Sequence, residues 1–446
     1  MPIQSSRLSP TELQKNFADI APALTPNEAV IEASRCLFCF DAPCMRACPT
    51  HIDVPKFIRQ IMERDLKGSA KTIFSANIFG GACARACPTE VLCEGDCVLN
   101  GLNEKPIQIG LLQRHATDYA MANHIHFFKK APPLGKKAAI IGAGPAGLSC
   151  AHELTKNGVD CIVFEAQSVI GGLNTYGIAA YKMMADFALA EVEYIRNIGI
   201  DIRTNSPVGA DLPVTKLLAE YDAVFLGAGL GKTVDLGIEG ENLEGCFEAL
   251  DFIMPTRLKK FEECIIGENV LVIGAGNTAI DVATAAARLG AASVTIVYRR
   301  GEKEMPAFKY EYNLAKSDAV KFIWHTGPKR IIASNGKVSG LECYKVKITN
   351  DKLEPLSNSE HVIACDMVVK ALGQDGLYDL YKSIPNLNVE GKRVVINLKT
   401  GATSVQGLFA GGDCINGGGE VVDAVEHGKI AARGILQFFN DILVYV

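Results

Sequence analysis

No run of about 18 or more consecutive apolar residues occurs in this chain, so no membrane-spanning helix is expected. No basic excess exists either. Forty-five Lys and Arg stand against 50 Asp and Glu, for a formal net charge of −5, and nothing in that balance calls for nucleic acid or an anionic membrane surface. The opening residues, MPIQSSRLSP, lack a charged stretch leading into an apolar one, so no secretory signal is expected and a cytoplasmic location is. Low-complexity segments are missing. So is any Cys-x-x-Cys pair after residue 97: Cys150, Cys161, Cys246, Cys264, Cys343, Cys365 and Cys414 stand singly, as core thiols do. None of the 8 histidines, including His115, His124 and His126, forms a metal pair or a catalytic set with a neighbouring cysteine.

What is present begins with 446 residues, 48% hydrophobic and 21% charged, enough for two to four domains around ordinary cores. Eight of the 15 cysteines fall between residues 36 and 97. They read Cys36-x2-Cys39-x4-Cys44-x3-Cys48-Pro49 and, after a 34-residue gap, Cys83-x3-Cys87-x5-Cys93-x3-Cys97, with Pro88 following Cys87. In a reducing compartment such a cluster favours metal over disulfides. The first group is close to the bacterial ferredoxin run, in which the cysteine before proline ligates the other cluster. Two four-iron clusters are the expectation. One cluster with spare thiols, or structural zinc, is the alternative, although zinc ribbons usually show two Cx2C pairs and only one appears here.

Around the cysteines the sequence looks helical. Ser9-Pro10 and Thr25-Pro26 resemble helix starts, the second helix running straight into Cys36. The apolar spacing of Val54 to Phe79 predicts two short helices broken near Gly68, and Ile107 to Ala122 another helix. Residues 131–137 are a linker by composition. A strand, a Gly-rich turn and a helix follow: Ala138 to Ile141, Gly142-Ala143-Gly144-Pro145-Ala146-Gly147, then Leu148 to Asn157. The next strand ends at Glu165, and Gly171-Gly172-Leu173 comes soon after. Residues 270–300 repeat the unit with Gly274-Ala275-Gly276-Asn277-Thr278-Ala279, and their second strand ends at Arg299-Arg300. Short strands are expected from Lys321 to Met367. Val368 to Gly373, with Ala371 and Gly373, echoes the strand of Tyr221 to Gly229. A last strand ends in Gly411-Gly412-Asp413, and a helix from about Glu420-Val421-Val422 closes the chain.

The first turn has the strand, the helix and the acid of a dinucleotide site: glycines for backbone approach to a pyrophosphate, and Glu165 for ribose hydroxyls. In the second, a carboxylate is replaced by Arg299 and Arg300. Guanidinium groups bind a 2′-phosphate that a carboxylate would repel, so NADPH is favoured with NADH possible; a solvated arginine pair is the plainer alternative. Two such units, with Asp413 at a late strand end, suggest FAD plus a nicotinamide. Asp413 suits a ribityl hydroxyl, or simply a turn cap, and the helix after Glu420 can turn its N-terminus to the flavin ring. Iron–sulfur centres are then the outlet for single electrons.

The stretches Arg35-Cys36-x2-Cys39-x-Asp41-Ala-Pro-Cys44-x3-Cys48-Pro49-Thr50, Cys87-Pro88-Thr89-x2-Leu92-Cys93-x3-Cys97 and Pro106-Ile107-x-Ile109-Gly110-x-Leu112-Gln113 carry a resemblance. With the two dinucleotide units they resemble the flavin subunit of two-subunit bacterial dihydropyrimidine dehydrogenase and the N-terminal half of the single-chain eukaryotic enzyme. More loosely they resemble the glutamate synthase small subunit. The resemblance covers nearly the whole chain and alters the ligand sets. Spacing alone makes Cys83 the eighth ligand, whereas the family pattern implies Cys36, Cys39, Cys44 and Cys97 for one [4Fe–4S] cluster and Cys48, Cys87, Cys93 and Gln113 for the other. Two departures stand out. Tyr298-Arg299-Arg300 with Glu304-Met305-Pro306 resembles the glutamate synthase branch, and Lys182 stands where the family has an arginine near the flavin.

The expected fold is therefore an α-helical iron–sulfur domain over residues 1–130, then two α/β Rossmann-like dinucleotide-binding domains. The FAD domain is discontinuous, over 131–255 and 375–446, and the NAD(P)H domain spans 256–374. The chain has no (β/α)8 pattern and no FMN domain, so pyrimidine reduction would fall to an FMN and iron–sulfur partner subunit, and no catalytic acid, base or nucleophile is assigned here. The rivals are a glutamate synthase small subunit, and a flavoprotein reductase whose cysteine-rich head is a zinc docking module.

Overall fold

The computed structural model describes residues 8–349 and 352–444. The first seven residues, on which the reading of a missing secretory signal partly rests, lie outside the described ones. Two five-stranded sheets of one plan organise the chain. The first runs, in spatial order, Leu408–Ala410, Ala223–Leu226, Lys137–Ile141, Asp160–Phe164, Asp201–Arg203, with every neighbouring pair parallel. The second runs Cys246–Glu248, Met367–Lys370, Asn269–Ile273, Ser293–Val297, Lys321–Ile323, again all parallel. Parallel strands need crossovers and cover on both faces. Accordingly Ala223–Leu226 and Met367–Lys370 are buried at every position.

The chain divides into two compact units. One holds the second sheet, with Lys232–Asp375, Tyr176–Met184 and the described residues up to Asp19. Its core gathers Ile280, Ala283, Val294, Ile296 and Met367. An antiparallel sheet, Lys352–Pro355, Lys337–Thr349 and His361–Ala364 with Thr326–Ser334 alongside, is its second layer. The short strands expected from Lys321 to Met367 are these. The unit's parallel sheet starts with Cys246–Glu248, about ten residues before the expected boundary at 256. Three half-buried residues carry no apolar run to announce that strand.

The other unit holds the first sheet and the helical head: Ile20–Thr175, Ala185–Gly231 and Gly376–Val446. The closing helix, Val421–Val444, packs on the helix Pro145–Lys156 that follows the first Gly-rich turn. Glycine at 428 permits the approach, since a Cβ there would meet the Ala146 carbonyl oxygen at 2.3 Å.

Several sequence expectations need correction. The helix Pro10–Asn16, with its Ser9–Glu12 capping box, is not part of the helical head. Its Leu13, and Phe17 just beyond it, insert into the core around the second sheet, where Phe17 stacks on Phe261 at 4.1 Å. The break between the helices Val54–Met62 and Leu66–Ala76 falls at residues 63–65, not at Gly68. Asp65 caps the second helix by accepting the Gly68 N–H at 2.8 Å, which puts that glycine inside the first turn. The helix Pro26–Ser34 stops short of Cys36, with Arg35 as its cap, and the one expected from Ile107 begins at Ile109. Helices Pro43–Ala47, Gly80–Ala86 and Ala185–Arg196 were not foreseen.

Candidate functional site

The cysteine head is built by short helices that hand cysteines to a shared pocket. Helix Pro26–Ser34 starts in a Thr25–Glu28 capping box and delivers Cys36, whose N–H donates to the Ala33 carbonyl at 3.1 Å. Buried Glu32 ties this end down, accepting from Arg35 at 2.7 Å and from the Gln108 N–H at 2.9 Å. The loop between Cys36 and Cys44 bends twice through left-handed residues, Phe38 (φ 51°) and Ala42 (φ 35°), and Arg59 lies over the Phe38 ring at 4.8 Å. Cys36, Cys39, Cys44 and Cys97 then line one pocket, with Val54, Ile58, Leu99, Ile107 and Ile109 as apolar walls. Burial, then the neighbouring thiols, push Cys44 up to about 12 and Cys36 upward too. Such thiols give up their protons only to a strong cationic partner.

A second group lies close by. A hydrogen bond with the Cys83 thiol, then burial, hold Cys87 well up, with Cys93 and Cys48 next among its neighbours. Cys93 is raised by burial, by Glu94 and by Cys48. Cys48 is buried with its sulfur 3.3 Å from the Thr50 hydroxyl. Cys83 is buried against Asn77, whose amide donates to its sulfur at 3.2 Å. Gln113 lies on the helix Ile109–Ala122. Its Nε2 donates to the Gly80 carbonyl at 2.7 Å, and no hydrogen bond is recorded for its Oε1 among the described residues. Cys97 thus sits with the first cysteine group, and Cys48 with Cys87 and Cys93.

Sulfurs spread over the walls of an apolar pocket fit a polynuclear cluster. A single tetrahedral ion, with metal–sulfur bonds of about 2.3 Å, would gather them to a point. Among the described residues no three His, Cys, Asp or Glu groups are gathered in that way.

The first Gly-rich turn shows why its glycines are there. Gly142 has φ +97°, and a Cβ on Gly147 would lie 2.0 Å from the Gly142 carbonyl oxygen. Gly144 and Gly172 meet backbone to backbone, where a Cβ on Gly172 would sit 2.9 Å from the Gly144 Cα. The Gly171 N–H donates to the Ala143 carbonyl at 3.0 Å, and Leu173 starts a short helix, Leu173–Tyr176. Glu165 is buried, one carboxylate oxygen accepting the Ala143 N–H and the other the Gln167 N–H, both at 2.8 Å. Gly412 adopts φ +79° against Ala146, near the start of helix Pro145–Lys156. Burial pushes the Asp413 carboxyl upward, and its Oδ1 accepts the Gly419 N–H at 3.0 Å in the loop leading through Glu420 to Val421 and Val422. These residues gather at the C-terminal end of the first sheet. Strand Lys137–Ile141 has neighbours reached in opposite directions there, which is where α/β sheets leave a ligand crevice.

In the other unit Gly274 has φ +127°, and a Cβ there would meet the Ala371 carbonyl oxygen at 2.2 Å. Gly276 faces open space. Asn277 opens the helix Asn277–Arg288 and accepts the Phe308 N–H at 3.0 Å; Thr278 beside it is exposed, and Gly373 takes φ +87°. Arg299 and Arg300 are exposed, and no ion pair engages them among the described residues. Lys182 belongs to this unit. Its ammonium pairs with Asp281 at 2.6 Å and with Glu311, and Tyr181 donates to Asp281 at 2.9 Å. Burial would push Lys182 down, but the two carboxylates outweigh it and hold its pKa above the usual lysine value.

Sequence reasoning missed one functional candidate, Glu191, which is fully buried on helix Ala185–Arg196. The signal was there. Ala188, Val192 and Ile195 make an apolar stripe, and Glu191 interrupts it.

A family model described as "Pyridine nucleotide-disulphide oxidoreductase" matches residues 136–428. The chain belongs to that family. A second, "Dihydroprymidine dehydrogenase domain II, 4Fe-4S cluster", matches residues 13–125. The Escherichia coli (strain K12) "NAD-dependent dihydropyrimidine dehydrogenase subunit PreT" is 36% identical, over 96% of this chain and 98% of that protein. The "Glutamate synthase [NADPH] small chain" of the same strain is 34% identical, over 97% and 96%. Among solved structures, Mycobacterium tuberculosis FprA in complex with NADPH shares the fold at TM-score 0.56 and 18% identity, over 70% of this chain and 85% of that one. The thioredoxin reductase of T. acidophilum does so at 0.52 and 19%, over 69% and 99%.

The protein is an NAD(P)H-dependent oxidoreductase with FAD and 4Fe–4S iron–sulfur chemistry. The helical head followed by two parallel-sheet dinucleotide folds stands as expected, and the zinc reading of the head loses its ground. No helix among the described residues is long and apolar enough to cross a membrane.

Proposed function

We propose that this chain is the electron-input subunit of a two-component enzyme. Its partner would carry FMN and iron–sulfur centres and reduce uracil or thymine to the 5,6-dihydro forms. The observation that carries the reading is the pocket shared by Cys36, Cys39, Cys44 and Cys97, in a chain with no Cys-x-x-Cys pair after residue 97. A reductase of this family without a dithiol needs another exit for electrons, and thiols arranged around an apolar pocket supply one. The relatives named above, a dehydrogenase subunit and a synthase small chain, are named as parts of larger enzymes.

In this reading Cys36, Cys39, Cys44 and Cys97 hold one cluster, and Cys48, Cys87, Cys93 and Gln113 the other. The turn Gly142–Gly147, with Glu165, Gly171-Gly172-Leu173, Gly412-Asp413 and the helix start at Glu420–Val422, holds FAD. The turn Gly274–Thr278, with Ala371, Gly373, Arg299 and Arg300, holds the nicotinamide nucleotide. Bound there, the flavin would supply acceptance of one hydride, that is two electrons, and the clusters would supply single-electron transfer. The protein's own part is binding and orientation. Gly144 and Gly172 bring backbone to the pyrophosphate, Glu165 fixes the turn through Ala143 while offering ribose acceptors, and the apolar walls shape the pocket of the first, half-buried set of thiols. Lys182 is paired with Asp281 and Glu311, so a flavin or phosphate oxygen would have to compete with two carboxylates for it.

A second reading, the small subunit of glutamate synthase, is favoured by Arg299 and Arg300, whose free guanidinium groups suit NADPH. The experiment is co-purification of the tagged chain from its native cells, followed by assay of uracil-dependent NADPH and NADH oxidation. An FMN-containing partner and uracil-dependent turnover are expected. A large amidotransferase partner and no response to uracil would overturn the pyrimidine reading.

A further inference from the structure

Glu191 has no part in the scheme above, yet its buried carboxylate holds the start of the helix that leads to Cys87. Its Oε1 accepts the Gly81 N–H at 2.8 Å and the Ala82 N–H at 3.1 Å, and its Oε2 accepts the Ala82 N–H at 3.1 Å. Those amides open helix Gly80–Ala86, which has no cap of its own because Phe79 stands at the capping position. Glycine at 81 is required by the approach: a Cβ would lie 2.6 Å from Phe187 and 2.8 Å from the Glu191 carboxylate.

The same short helix reaches two proposed ligands. It ends at Cys87, whose N–H donates to the Cys83 carbonyl at 3.0 Å, and its first carbonyl, that of Gly80, holds the Gln113 amide at 2.7 Å. Arg85 braces it, bonding the Gly81 carbonyl at 3.1 Å and both Asp118 oxygens at 2.8 Å while lying 3.5 Å over the Phe187 ring. On the opposite side Val192, next to Glu191, packs beneath Gly171 of the proposed flavin turn, where a Cβ would meet it at 3.2 Å. Helix Ala185–Arg196 therefore touches the flavin turn through one residue and the thiol-bearing helix through its neighbour. Burial pushes the Glu191 carboxyl up to about 8, with the Ala82 N–H, Arg85 and the Gly81 N–H pulling it back and Asp118 opposing them. A neutral cap at position 79 would satisfy the same amides without burying a charge.

We propose that Glu191 is a positioning residue for the second ligand set, fixing Cys87 and Gln113 through the backbone of helix Gly80–Ala86 and, when ionised, setting a negative charge nearer one cluster than the other. The proposal rests on the ligand reading given above. Its test uses the full chain with its flavin, at pH 9 so that the carboxyl is ionised, and reads iron content and the redox-titrated electron paramagnetic resonance signal of each cluster. Glu191→Gln should keep iron and flavin and raise the midpoint potential of one cluster while leaving the other unmoved, because a nearby negative charge is gone. Glu191→Ala, which strands two buried N–H groups, should lose roughly half the iron while keeping flavin. Unchanged potentials in Glu191→Gln, or an equal shift in both clusters, would overturn the proposal even if Glu191→Ala does not fold. Gln113→Ala separates the underlying reading. If it leaves both signals untouched, Gln113 is not a ligand and that half of the proposal falls, while a one-cluster shift in Glu191→Gln still supports positioning through Cys87.

Discussion

The two Gly-rich turns share a sheet plan and differ in how tightly they are closed. In the first, Gly147 presses on the Gly142 carbonyl so closely that no side chain fits, Gly172 comes in over Gly144, and Glu165 is buried with both oxygens on backbone amides. In the second, Ala279 replaces the third glycine and is fully buried without strain, Gly276 faces open space, and the strand ends in two exposed arginines. The first design suits a group held throughout turnover. The second suits one that enters and leaves, recognised by charge at an open edge. That difference favours the proposed placing of FAD at the first turn and the nicotinamide nucleotide at the second.

The sharpest break is at the third position. Gly147→Ala places a Cβ 2.0 Å from the Gly142 oxygen, so helix and strand must part. At least a tenfold loss of bound flavin is expected, read as visible absorbance per chain, with overpacking costing about 1–3 kcal/mol of stability. Ala279→Gly in the other turn should cost no more than about 1 kcal/mol and leave the KM for NADPH unchanged within about twofold. Equal losses in the two variants would end the distinction. Next in size is Glu165→Ala. It leaves the Ala143 and Gln167 N–H groups without their acceptors, at about 1–3 kcal/mol for each buried one. Thermal unfolding with and without added FAD measures it, and the flavin-free chain should show the smaller deficit.

The open edge gives a smaller, selective effect. Replacing Arg299 and Arg300 together by alanine removes charge-assisted bonds worth about 1.5–3 kcal/mol. The KM for NADPH should rise roughly 10- to 100-fold, with that for NADH and the thermal midpoint little changed, because both side chains are exposed. A parallel rise for NADH would show that the pair does not read the 2′-phosphate.

How legible all this was depends on the kind of signal. Both turns were plain in the sequence because glycine is forced by backbone contact, and the strands around them are unbroken apolar runs. The cysteine cluster was plain by spacing, while the sets that put Cys97 with the first group and Cys48 with Cys87 and Cys93 came from the family pattern and not from spacing. What stayed hidden was set by long-range contact. Helix Pro10–Asn16 reads like its neighbour Pro26–Ser34, each with Pro first and a capping box, and only the seating of Leu13 in another core separates them. Strand Cys246–Glu248 is three half-buried residues long and exists through its pairing with Met367–Lys370. Gly68 looked like a breaker because composition cannot show that Asp65 caps its N–H. Nor could composition show that Lys182 pairs with Asp281 and Glu311, about 100 and 130 residues on.

The smallest difference between the turns lies in the helices behind them. His152 stands eight residues after Gly144, and Thr284 eight after Gly276. Burial, then Lys156, push His152 down to about 3, and it meets Phe128 edge-on at 5.2 Å. Folding therefore holds this imidazole neutral, whereas the unfolded chain protonates it below pH 6.5. The unfolded state then binds the extra proton, so stability is intact above pH 6.5 and declines as pH falls from there toward 3. The limiting slope is about 1.4 kcal/mol per pH unit, which amounts to about 1 kcal/mol at pH 5.5. Thr284 carries no such liability. In His152→Leu the thermal midpoint should fall less steeply between pH 6.5 and 5 than in the parent chain, with flavin release as the accompanying readout. If the two pH slopes coincide, this neutral histidine contributes nothing to acid sensitivity, and the unit owes its behaviour at low pH to its carboxylates and to His115 and His427, which burial also holds down.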